Sequence, residues 1–180
     1  MLRITIPAGD LWDEVNERFI IVEEQTLELE HSLFSLSEWE TKWQKPFLSK
    51  EIKSQEETID YIRCMTITPN VDPNIYKLMS ADMIQEIIQY TESSMTATWF
   101  NETKGGKSSS EQITNEIIYY WMATANIPME CQYWHLNRLL TLIKVFNVKQ
   151  QPKKKMSNNE IIRNTAAINA ARKKQLNTRG

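Results

Sequence analysis

The stretch PMECQYWHLNRLLTLIKVFNV, Pro128 to Val148, decides the architecture. Met129, Tyr133, Leu136, Leu139, Leu140, Leu142, Ile143 and Phe146 spread over more than half of a helical circumference. That pattern predicts one helix of about 20 residues, buried on several sides at the centre of a domain. Just before it, SEQITNEIIYYWMATANI (Ser110 to Ile127) sets Ile113, Ile117, Tyr120 and Trp121 along one side, extended by Thr124. Pro128 ends that second helix, because the residue before a proline is pushed out of helical backbone.

Upstream the punctuation is that of helix caps. In SLSEWETKWQKPF the S-x-x-E pattern occurs at Ser35 with Glu38 and at Ser37 with Glu40, and it recurs at Ser54 with Glu57. Hydroxyl and carboxylate together satisfy the orphan N–H groups of a helix start. Trp39 and Trp43 follow at spacing four, and Ile59, Ile62 and Met65 form a stripe. Asp72 with Pro73 reads as a helix start, and Ser80 as the cap of a helix with Met83, Ile87 and Tyr90 inward. SMTATWF (Ser94 to Phe100) reads as a short extended piece.

The N-terminus has a different period. MLRITIPA alternates Leu2, Ile4 and Ile6 with polar residues, and RFIIVEEQTLELEHS supplies an apolar run and a second alternation. These predict a small antiparallel β element, with LWDEVNERF between its parts open to a helical turn. The expected fold is therefore mainly α (α+β): a β element over 1–34, a helical body over 35–148, and a basic linker and C-terminal helix over 149–180.

That last segment stands apart by charge. Lys149, Lys153, Lys154, Lys155, Arg163, Arg172, Lys173, Lys174 and Arg179 face a single acid, Glu160, for a net charge of +8, which leaves −10 on the first 148 residues. The overall net charge of −2 hides this split. QQPKKKMS reads as a link, and SNNEIIRNTAAINAARKKQL as a helix capped at Ser157 with Glu160, with a thin stripe of Ile161, Ile162, Ala166, Ile168 and Leu176. Three uses suit such a tail: contact with nucleic-acid phosphates, docking on an acidic protein including a neighbouring copy, or simple solvation.

Catalytic and cofactor chemistry finds little foothold. NETKGGKSSSEQ (Asn101 to Gln112) contains Gly106-Lys107-Ser108, the second half of a phosphate loop, but Asn101 stands where the first glycine belongs. No apolar strand precedes it and no magnesium-holding acid follows, so it reads as a turn launching a helix from about Ser109. Cys131 and His135 are spaced to share a metal, but His31 is the only other histidine; a core thiol beside an imidazole satisfied by a carbonyl is the better account. Cys64 and Cys131 are expected as reduced core side chains. Trp39, Trp43, Trp121 and Trp134 read as packing, while Trp12 and Trp99 are candidate interface anchors. No apolar run approaches the roughly 20 residues that cross a bilayer, and the N-terminus does not resemble a signal peptide.

LEHSLFSLSEWETKWQKPFLS, YIRCMTI, SMTATWF, ITNEIIYYWMATANIPMECQYWHLNRLLTLIKV and NAARKKQLNTRG together resemble proteins of the tail modules of long-tailed bacteriophages, assigned as tail assembly chaperones. The resemblance covers nearly the whole chain and is strongest in YWHLNRLLTLI and the basic C-terminus. It implies a non-enzymatic protein of the host bacterial cytoplasm that binds the tape measure protein, keeps it soluble, helps recruit tail tube subunits, self-associates, and is absent from the mature virion. It implies no catalytic, metal or cofactor residue. On the bottom-up side, the partner contact is expected on residues 157–176, with Ile161 and Ile168 as apolar anchors and Arg172, Lys173 and Lys174 as steering charges. The alternatives are a neck or tail subunit retained in the virion, and a nucleic-acid-binding protein acting through the basic tail.

Overall fold

A computed structural model describes residues 1–14, 16–100, 112–150 and 158–176, with the side chains of residues 158–161 and 174 outside that description. The fold is mainly helical with a small antiparallel β element at the N-terminus. Two compact units make it up, Met1–Asn147 and Val148–Gly180.

The first unit opens on four five-residue strands, β1 (Leu2–Ile6), β2 (Gly9–Asp13), β3 (Arg18–Val22) and β4 (Gln25–Leu29). β1 pairs with β4 and β2 with β3, both antiparallel, and the numbers of every paired couple add to 31. They therefore form one long hairpin in unbroken register, interrupted where Pro7 and Ala8 face Glu24 and Glu23. Proline has no N–H to give to a ladder, which accounts for the interruption. LWDEVNERF is accordingly strand, turn and strand, with no helical turn in its described part.

The inward face changes parity across that interruption. Below it the even-numbered Ile4 and Ile6 are buried against Leu27 and Leu29; above it Leu11, Ile20 and Val22 turn inward while Trp12, Phe19 and Ile21 are exposed. Gly9 lies where a Cβ would sit 3.1 Å from a methyl of Leu78, so the upper part of the hairpin rests closely on the chain around Leu78.

α1 (Leu33–Trp43) is capped by Ser32, whose Oγ accepts from the Ser35 amide at 3.1 Å while Ser35 Oγ accepts from the Ser32 amide at 2.9 Å. The cap thus falls before both expected boxes, because Glu40 is drawn inside for another purpose. α2 (Gln55–Met65) starts at the expected Ser54–Glu57 box. It buries Ile62 and Met65, with Ile59 half-covered. A single 3-10 turn, Ile75–Leu78, replaces the helix expected from Asp72, whose carboxylate instead accepts from the Asn74 amide at 2.8 Å. α3 (Ala81–Glu92) is capped by Ser80 as expected and buries Ile87 and Tyr90.

α4 (Asn115–Thr124) begins later than Ser109, and its buried side is Ile118 and Met122 rather than Ile113, Ile117, Tyr120 and Trp121. Asn115 sets this rotation. Its amide and its Nδ2 both donate to the buried Glu40 carboxylate, at 2.8 and 2.7 Å, and Phe47 N–H donates to the same group at 2.7 Å. One ionised side chain with three donors thereby joins α1, the following loop and α4.

The central stretch is not one helix. Met129–Tyr133 forms a 3-10 turn, Trp134 is extended, and α5 runs from Leu136 to Gln150. The interruption has a partner across the fold: His135 bridges Ser32, and the Leu136 amide donates to the His31 carbonyl at 2.7 Å. Backbone groups that a continuous helix would spend on its own turns are used to fasten α5 to the end of the hairpin. Met129 and Tyr133 are therefore exposed, and α5 buries one stripe, Leu136, Leu139 and Ile143.

Candidate interaction surfaces

α6 (Asn158–Leu176) is the principal element of the second unit. Alanines and long straight side chains favour its helical backbone. Every described side chain on it is exposed, including Ile162 at 65 %, Ile168 at 52 % and Leu176 at 70 %. Spacings of four, seven and three place Ile162, Ala166, Lys173 and Leu176 on one helix face, with Ile168 and Arg172 on its flank. Arg172 and Lys173 are exposed as a docking role requires. The side chains of Ile161 and Lys174, and the cap expected at Ser157 with Glu160, lie outside the described residues. Sequence reasoning chose Ile161 and Ile168 as anchors and passed over the face led by Ile162 and Leu176, although those two were in its stripe.

A second apolar surface lies on the upper hairpin. Trp12 and Phe19 face each other across β2 and β3 with ring centroids 5.0 Å apart in an edge-to-face arrangement. Trp12, Phe19 and Ile21 are 53, 67 and 75 % exposed. Asp10, Glu14, Glu17, Glu23 and Glu24 surround them and are all exposed. None of these five takes an ion pair among the described residues. Trp12 is exposed outside the helices as expected; Phe19 and Ile21 lie in an apolar run that reads as core. Trp99, the other candidate, is 89 % exposed in irregular chain.

The two histidines and their tyrosine neighbours are hydrogen-bonded within the first unit. His135 Nε2 meets the Tyr90 carbonyl at 3.1 Å and its Nδ1 accepts from the Asn137 amide at 3.3 Å, which makes it the neutral Nε2–H tautomer. His31 Nδ1 lies 2.5 Å from the Tyr61 hydroxyl, and burial followed by the nearby His135 pushes its pKa down to about 3. Tyr90 donates to Glu30 at 2.7 Å. Cys64 and Cys131 are free thiols, Cys131 buried and Cys64 raised to about 11 mainly by burial. Among the described residues no group of three or more His, Cys, Asp or Glu is placed to hold a metal, and no helix is long and apolar enough to cross a membrane. The Gly106-Lys107-Ser108 turn lies outside the described residues.

Trp39 is buried and stacks on Trp43 at 6.1 Å, and their indole N–H groups donate to the Glu57 carbonyl and to Asp60 at 2.9 and 2.8 Å. These two tryptophans are packing elements rather than a ligand cage. Compared with known proteins, the chain matches no family model, no curated protein and no solved structure.

Proposed function

We propose that this chain is a non-enzymatic assembly chaperone of a long-tailed bacteriophage, acting in the host bacterial cytoplasm and leaving before the virion matures. Its client is the tape measure protein, which it holds soluble while tail tube subunits are recruited. The observation that carries the reading is α6: a 19-residue helix with its described aliphatic and basic side chains all exposed, on a chain whose first 148 residues carry net charge −10. A long helical client needs a partner that covers apolar stripes without catalysis, and a basic amphipathic helix does so by helix-to-helix packing with charges setting approach and register. The resemblance of the sequence to tail-module proteins supplies the identity of the client.

The test is co-expression with the very long helical protein encoded in the same tail module. The client should stay soluble and co-purify with the full chain, and should precipitate with an Ile168→Asp, Arg172→Glu, Lys173→Glu variant. Recovery of this chain in purified virions at a fixed ratio to the tube protein would assign it instead to the retained subunits. Binding to DNA that collapses with added salt would assign it to the nucleic-acid binders.

A further inference from the structure

We propose that the outer face of the upper hairpin, built on Trp12, Phe19 and Ile21, is the docking site for α6 of a second copy of this chain. The argument rests on complementarity. The hairpin face offers three exposed apolar side chains inside a ring of acids, Asp10, Glu14, Glu17, Glu23 and Glu24, with Arg18 the only base between Gly9 and Glu24. α6 offers the converse, Ile162, Ala166 and Leu176 on a face that also carries Lys173, flanked by Arg172.

The lengths are comparable. Five-residue strands span about 17 Å, and Ile162 to Leu176 spans about 21 Å of helix. Trp12 and Phe19, already packed edge to face, hold each other in place and lose little side-chain freedom when covered. The twist that turns Leu11 and Ile20 inward also turns these rings outward, and they are exposed among the described residues.

Because the two surfaces differ, each contact pairs the helix of one copy with the hairpin of another. Two copies that exchange helices close as a swapped dimer, and a larger number close into rings or continue as open chains. The inference does not depend on which client the protein holds, since it is read without one.

The experiment uses the full chain and light scattering over a range of concentrations. The unaltered protein should associate, as a swapped dimer or as a larger assembly. A hairpin variant, Phe19→Ser with Ile21→Ser, and a helix variant, Ile162→Ser with Lys173→Glu, should each be monomers with unchanged circular dichroism and melting, because all four side chains are exposed. Mixed together, the two variants should form a 1:1 complex and stop there, since one keeps a hairpin face and the other keeps a helix. Raising the salt should weaken that complex without abolishing it. A monomeric unaltered protein, assembly by either variant alone, or a mixture that stays monomeric would each overturn the proposal; the last result would point to a helix docked within its own chain. Failure to bind the tape measure protein leaves these outcomes untouched.

Discussion

The rings of His31 and His135 meet edge to face with their centroids 5.1 Å apart, inside the first unit where the hairpin ends and α5 begins. Both have lowered pKa values, each first of all through burial, His31 to about 3. The unfolded chain takes up protons near pH 6.5 while folded His31 declines them, so stability falls as pH drops from about 6.5 toward 3, by up to about 1.4 kcal/mol per pH unit for each histidine. The upper end of that range, near pH 6.5, lies well above the ordinary carboxylate range, so the slope there belongs mainly to the histidines. Urea unfolding at several pH values should show it, and His31→Asn should flatten the curve while lowering stability at pH 7 by about 1 kcal/mol through loss of the buried bond to the Tyr61 hydroxyl.

Glu40 is the buried acid that orders α1 against α4. Glu40→Ala leaves the Phe47 and Asn115 donors without an acceptor and should cost about 3 kcal/mol in chemical denaturation. Glu40→Gln keeps one acceptor oxygen and should fall between the two.

Ser54→Ala removes one half of the box at the start of α2 and should destabilise the fold by about 1 kcal/mol. Ser37→Ala should be close to neutral, since Ser32 and not Ser37 caps α1. A pair of melting curves distinguishes the two serines.

Ending the chain after Gln150 should leave the first unit's stability within about 0.5 kcal/mol of the full chain, because every described side chain of α6 is exposed. The same truncation should abolish client binding and self-association. A large drop in melting temperature would show that the C-terminal segment is part of the core.

Cys64 should react slowly with iodoacetamide near neutral pH and faster as pH rises toward about 11, where burial has moved its thiol. Cys131, buried beneath the 3-10 turn, should be modified only after unfolding. Timed alkylation followed by mass measurement reads both.

Local signals in the sequence carried much of the fold. The hairpin alternation, the Ser54 and Ser80 caps and the tryptophan pair of α1 all depend on neighbours a few residues away, and they appear where their patterns put them. What failed was long-range. The apolar surplus of Pro128–Val148 reads as one helix because nothing nearby reveals that His135 pairs with Ser32. The rotation of α4 depends likewise on Glu40, far upstream, whose place three residues after Ser37 looked like a capping box. The basic helix was legible from charge alone. Its companion face on the hairpin was not, because the parity change at Pro7 is a matter of twist, and Phe19 and Ile21 look like any core strand.

The bond from Leu136 N–H to the His31 carbonyl spans more than a hundred residues and can form only after α5 has been made. The hairpin, α1 and α2 lie wholly upstream of it, so the His31 carbonyl waits for this partner until α5 emerges. Contacts of such separation are slow to close, and surfaces waiting for them are prone to wrong associations. α6 is translated after α5. When it emerges from the ribosome, the segment that closes the first unit has therefore already been made.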